Sequence, residues 1–223
     1  MSAAAIPTPV PARTRRGRIL IGLALTLGVG SLPFPVWDDE FADTAHLIGN
    51  EAIYWTLVAA TLFYVVRIER RPLASIGLRR VGWRDVGAAL VTAVATIGAL
   101  AALFLVVFPY FGASEEGNLA QLASAPPWWL AISVLRAGVS EEVLFRGYPI
   151  ERLLEWSGSR ALAILLPLGL FALAHVGPWG WLHLAVAGVG GALLSALYLW
   201  RRNLWANILA HCVIDAIAML GNG

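Results

Sequence analysis

Ser140-Glu141-Glu142-Val143-Leu144-Phe145-Arg146-Gly147-Tyr148 decides how this chain is read, because it sets three charged side chains inside an apolar segment running from Trp128 to Ile150. At about 1.5 Å per residue such a helix is long enough to cross a hydrocarbon core of roughly 30 Å. A charge at that depth costs roughly 2.5–3.5 kcal/mol on insertion scales, so an intramembrane Glu-Glu-x-x-x-Arg is a functional-site candidate that must face protein or a water-filled cavity. Helical geometry separates the three. Glu142 and Arg146 stand four apart on one face and can pair within the helix. Glu141 is rotated by about 100° and has no cation three or four residues further on, so its partners must come from elsewhere in the chain.

The rest of the chain is a setting for that segment. It is 59% hydrophobic and only 13% charged, whereas soluble domains carry about 25% charged residues. The apolar runs Ile19–Val29, Leu47–Val66, Val86–Val107, Trp128–Ile150, Ala161–His175, His183–Trp200 and Leu204–Leu220 predict an all-α fold, a polytopic transmembrane bundle of about seven helices. Three regions follow: a disordered cytosolic tail over 1–18, N-terminal transmembrane helices with an interfacial connector over 19–126, and a core over 127–221 that carries the polar motifs. The connector is Pro72 to Asp85, with Ser75-Ile76-Gly77-Leu78 at its centre. Residues 1–29 resemble the charged and apolar regions of a signal peptide, but no Ala-x-Ala site follows, which favours a retained first helix. Small residues at Ala187, Gly191 and Ser195, and again at Gly188, Ala192 and Ala196, suit close approach of a neighbouring helix. Cys212 is the single cysteine, so no intrachain disulfide is available.

Charge placement reads as topology. With the N-terminus in the cytosol, every basic residue except Arg136 and Arg146 falls on one side, and the acidic loops at Asp38–Asp43 and Glu115-Glu116 fall on the other. Every cation is an arginine serving this asymmetry, so the basic balance does not point to nucleic acid. Arg136 is expected to snorkel outward from the outer half of its helix. The all-Arg, Ala- and Gly-rich composition suggests a bacterial cell membrane.

Groups able to meet Glu141 lie on later helices. Counted along the helices, Glu141 is roughly 16 Å from the arginine-bearing end, His211 roughly 13 Å and Asp215 roughly 19 Å; His175 comes out at roughly 22 Å, which a bend at Pro167 would correct. Asn207, His211 and Asp215 form a polar stripe at i, i+4 and i+8. Each residue alone has a bland reading. His175 is a satisfied structural histidine, Asn207 an interhelical hydrogen-bond group, Glu142 with Arg146 a structural pair, and His46 and His183 are interfacial. The joint placement of two carboxylates and two imidazoles on three helices at comparable depth is harder to dismiss.

Glu141-Glu142-x-x-x-Arg146, Phe171-x-x-x-His175 and His211-x-x-x-Asp215 preceded by Leu204-Trp205 resemble, in order and spacing, the motifs of the CPBP family of intramembrane proteases. That family includes the CAAX prenyl endopeptidases and the Abi or bacteriocin-immunity-like proteins. The resemblance covers about Trp128 to Gly221. It implies an intramembrane glutamic endopeptidase acting on a membrane-associated, prenylated or otherwise lipid-tethered substrate, with its active site opening toward the cytosol. It also implies roles: Glu141 and His175 activate a water, and His211 with the residue four later stabilises the oxyanion, while Glu142, Arg146 and Phe171 of the same motifs support them; Asn207, on the polar stripe, is expected to support them too. This chain has Asp215 where the family often has Asn, and an ionised Asp215 is expected to orient His211 as the imidazolium rather than face the oxyanion itself. Asn207 stands where an apolar residue or Pro is usual in the family.

Two other readings remain open at this level. Glu141, His175 and His211 form a His₂Glu set of the kind that holds catalytic zinc, although no His-Glu-x-x-His occurs; the expectation is that no cofactor is needed. A non-catalytic membrane immunity, scaffold or ion-path protein could use the same buried polar cluster. The expected partners are the lipid bilayer and a membrane-tethered peptide, with oligomeric state left open.

Overall fold

The computed structural model of the chain describes residues 12–32, 44–113 and 126–220. Every regular element among them is helical, and the helices form a bundle of seven. α1 (Ala12–Leu23) runs on through a wide π turn, Ala24–Val29. Arg13 to Arg18, expected to precede the first helix, ride on its opening turns. α2 (Thr44–Phe63) likewise ends in a π turn, Tyr64–Ile68, and α3 (Trp83–Ala102) continues through Leu103–Val107 to Tyr110. The fourth rod is α4 (Pro127–Glu142), a π turn at Val143–Gly147, and α5 (Tyr148–Ser157). α6 (Arg160–Ala174) starts at Ser159, whose hydroxyl accepts from the Leu162 amide. A short turn, Val176–Trp179, then leads to α7 (His183–Arg201) and α8 (Leu204–Leu220).

Four helical segments are long and apolar enough to cross a membrane by length and composition: Glu51–Ile68, Trp83–Tyr110, Arg160–Trp179 and His183–Arg201; Leu204–Met219 is a shorter apolar helix. The α4–α5 rod misses that criterion for a physical reason, since Arg136, Glu141, Glu142 and Arg146 all lie along it. α3 turns Val91, Val94, Leu105 and Val106 outward, an apolar face suited to lipid. The protein is an integral membrane protein.

One end of the bundle is laced by ion pairs. Arg71 grips Glu155, Arg152 reaches Glu69 at 2.6 Å and Ser75, Arg202 reaches Glu151 at 2.8 Å, and Arg201 reaches Asp85 at 2.8 Å. The connector is locked there too. Its 3₁₀ turn, Leu73–Ile76, ends at Gly77 with φ +87°, and the Gly77 carbonyl accepts from the Leu204 amide at 2.7 Å. A Cβ at Gly77 would come within 2.8 Å of the Tyr198 ring, so glycine is required by both conformation and space.

Two helix crossings position the polar motifs. α8 packs against α3 and α4, and α7 against α6 and α3. At the α4–α8 crossing Gly138 sits so close that an added Cβ would lie 2.5 Å from Cys212 Sγ. That approach carries Glu141 and Glu142, one turn further along α4, up to His211 on α8. At the α6–α7 contact Gly191, from the small-residue stripe, faces Leu168 and Phe171.

Candidate active site

Glu142 is the buried centre of the cluster. It is fully enclosed and takes donors from three directions: Arg146 Nη1 to Oε1 at 3.0 Å, His211 Nδ1 to Oε1 at 2.7 Å, and Asn207 Nδ2 to Oε2 at 3.0 Å. The i,i+4 pairing with Arg146 is the one expected, but Glu142 also fixes His211, which the helical spacing alone did not indicate. Asn207 bridges as expected, donating also to the Leu194 carbonyl at 2.7 Å. The Arg146 guanidinium lies 4.1 Å from the centre of the Phe171 ring, and the His175 ring centre lies 4.4 Å from it.

Glu141 points away from this centre, as its rotation on the helix requires. Its Oε2 lies 3.6 Å from His211 Nε2 and 4.0 Å from His175 Nε2. His175 caps the end of α6, and its Nδ1 is 2.7 Å from the Phe171 carbonyl, an acceptor. Assigned from that bond, the Nδ1 carries the proton and Nε2 of the neutral ring is an acceptor facing Glu141. Two acceptors 4.0 Å apart do not bond each other directly. Asp215 Oδ2 stands 3.5 Å from His211 Nε2. Asp215 thus faces the nitrogen turned to Glu141, and the tight hydrogen bond that orients the His211 ring comes from Glu142 instead.

These side chains line a cavity of about 280 Å³. Glu141, His175, His211 and Asp215 lie with Tyr54, Arg136, Trp179 and His183 among its walls. His183, at the start of its helix, is buried, stacked on Trp179 at 5.4 Å, and faces this space. Arg136 does not snorkel. It is 9% exposed, donates through Nε to Glu51 Oε1 at 3.3 Å and covers the Tyr54 ring. The side chain of His46 lies outside the described residues.

The cavity occupies the end of the bundle away from the ion-pair belt. Its walls come from α4 between Trp129 and Glu141, the later parts of α6 and α8, α7 between His183 and Leu194, and the far end of the first rod at Gly30 and Leu32.

No group of three or more His, Cys, Asp and Glu among the described residues is arranged to hold a metal ion.

Fold and site together define an all-helical membrane protein with a buried carboxylate–imidazole cluster at the floor of a cavity. Residues 123–217 match the family model of the Rce1-like proteins, described as type II CAAX prenyl endopeptidase Rce1-like. The family resemblance read from the three motifs is thereby shown for this segment, which spans α4 to nearly the end of α8, and it supports a CAAX-type intramembrane endopeptidase in general. Comparison with curated proteins and with solved structures gives no match.

Proposed function

We propose that this protein is an intramembrane glutamate peptidase that hydrolyses a peptide bond of a membrane-associated substrate. The observation that carries the reading is the meeting of Glu141 Oε2 with the Nε2 atoms of His175 and His211, at 4.0 and 3.6 Å, on the wall of one cavity. A water between Glu141 and His175 donates one hydrogen to each. As its oxygen attacks the scissile carbonyl, Glu141 takes the proton, and it then returns that proton to the leaving amine.

His211 supplies the charge for the oxyanion. Its Nδ1–H is committed to Glu142, so a proton on Nε2 makes the ring an imidazolium, held between Glu142 and Asp215. A donor preorganised in a site with little water is worth roughly 2.7–4 kcal/mol of barrier to a developing oxyanion. Asp215, as a carboxylate 3.5 Å from Nε2, balances the imidazolium and steers its N–H.

The side of attack follows from the charge pattern. With the arginine-bearing end in the cytosol, the cavity faces the opposite side of the membrane, and the substrate is a peptide presented there. A prenylated cytosolic C-terminus does not reach such a site without crossing the bilayer.

The test is purified protein against a panel of membrane-tethered peptides, with Glu141→Gln and Glu141→Ala beside the wild type. Cleavage by the wild type alone is expected; uncut peptides throughout, or equal cleavage by Glu141→Ala, overturns the proposal. Asp215→Asn is expected to keep more activity than Asp215→Ala, and equal rates would remove Asp215 from the mechanism.

A further inference from the structure

Arg136 is a cation in the cavity wall whose hydrogen bonding is largely unused. It sits five residues before Glu141 on α4, and its side chain is 11% exposed. A guanidinium offers five N–H donors. Only Nε is taken, by Glu51 Oε1 at 3.3 Å, and no described residue accepts from either Nη. Contrast Arg152, at the other end of the bundle: its Nε, Nη1 and Nη2 meet Glu69, the Ser75 carbonyl and the Ser75 hydroxyl. The Tyr54 ring, 4.5 Å below the Arg136 carbon, fixes the plane of the fork and gives it no hydrogen-bond acceptor. Ser133 Oγ, one turn earlier on α4, donates to the same Glu51 oxygen at 3.1 Å and holds the carboxylate on the Nε side. The Nη edge is left for whatever fills the cavity.

We propose that Arg136 is a carboxylate-binding site that anchors the substrate and sets the position of the cut. The proposal rests on the peptidase reading above for its consequence, and on the geometry of Arg136 alone for the binding itself. A planar fork with two free Nη groups matches a carboxylate in a two-pronged contact, which a lysine could not reproduce. Five residues of helix place Arg136 about 7.5 Å along α4 from Glu141. An extended peptide covers about 3.3–3.6 Å per residue, so a carboxylate held on Arg136 lies about two or three residues from the bond at Glu141. The carboxylate is either the free C-terminus of the peptide or an Asp or Glu side chain at that distance.

The experiment uses one palmitoylated Ala/Leu nonapeptide in three forms: free C-terminal acid, C-terminal amide, and the amide carrying a single Glu three residues beyond the intended cut. Binding is measured on the purified Glu141→Gln protein, and cleavage on the wild type, with products sized by mass. The expected result is about tenfold tighter binding of an acidic form than of the plain amide, falling to parity in Arg136→Gln and to an intermediate ratio in Arg136→Lys. Preference for the acid identifies the C-terminus as the ligand, and preference for the Glu amide identifies a side chain. Where Arg136→Gln fails to accumulate because Glu51 is left as a lone buried anion, Glu51→Gln/Arg136→Gln removes both charges and reports the same ratio. Equal binding of all three forms, or binding of none, overturns the anchor, even if the wild type cleaves them. An acid preference that depends on Arg136 without any cleavage keeps the anchor and sinks the peptidase instead.

Discussion

Glu142 Oε1 and His211 Nδ1 lie 2.7 Å apart across the α4–α8 crossing, and the same oxygen takes Arg146 Nη1 at 3.0 Å. One buried carboxylate therefore serves two partners, one structural and one turned toward the cavity. The two adjacent glutamates of the motif divide the work by rotation: Glu142 inward to hold, Glu141 outward to the cavity.

Removing Glu142's charge should separate these duties. Glu142→Gln leaves Arg146 without its counter-charge at 1% exposure, and breaking such a buried pair costs about 3–5 kcal/mol. Glu142→Gln/Arg146→Gln removes both charges and is expected to recover most of the thermal stability in detergent. Activity should stay down by at least about 100-fold in both, because His211 has lost the carboxylate that orients it. Recovery of activity along with stability in the double variant would show that Glu142 acts only through Arg146.

The Gly138 approach gives a second handle on the same crossing. Gly138→Ala would push its Cβ to within 2.5 Å of Cys212 Sγ, and overpacking of this kind costs about 1–3 kcal/mol. The strain falls between the helices that carry Glu141 and His211, so peptide cleavage should fall with the melting temperature. Gly138→Ala/Cys212→Ala deletes the clashing sulfur while the next contacts, at 3.4 and 3.5 Å, are tolerable. Both properties should then return toward wild type, and a double variant no better than the single would place the strain elsewhere.

How far the sequence reached depends on which helix face a residue occupies. Seven helices, the Glu142–Arg146 pair and the separate heading of Glu141 follow from apolar run length and 3.6-residue periodicity, both local properties. His211's bond to Glu142 and Arg136's to Glu51 are contacts between helices, at sequence separations of 69 and 85 residues. No spacing rule reaches that far. Arg136 reads as interfacial because an isolated arginine near a helix end snorkels at little cost; the acid that keeps it inside, Glu51, lies about two turns into a different helix. His183 begins its helix under Trp179, inside the cavity rim, and a place at a helix start does not reveal that burial.

Outside the membrane, the pair between Arg71 and Glu155 makes stability depend on pH. Arg71 donates to both Glu155 oxygens, at 2.5 and 2.7 Å, and holds that carboxyl below its ordinary value of 4.5. A lowered folded-state pKa contributes stability above the unfolded value and loses it as pH falls through the folded one. Wild type should therefore exceed Arg71→Gln in stability by about 0.2–1 kcal/mol at pH 7, with the gap closing below about pH 4. Thermal melts of the two proteins between pH 7 and pH 3 measure it. A gap that is unchanged at pH 3 would mean Arg71 acts through packing rather than through charge.

The side of the membrane that the cavity faces decides which peptides can reach Glu141. Trp181, in the turn between α6 and α7, and Trp83, at the start of α3, are exposed at opposite ends of the bundle, at 76% and 89%. In a Cys212→Ala background, Trp181→Cys reports the cavity end and Trp83→Cys the arginine end. If the arginines lie in the cytosol, a membrane-impermeant maleimide added to intact cells should label Trp181→Cys fully and Trp83→Cys only after lysis. The reverse pattern would put the arginine belt outside and open the Glu141 site to the cytosol, where a cytosolic lipidated C-terminus could enter it directly. The labelling thus decides which leaflet presents the peptide, independently of whether any peptide is yet known to be cut.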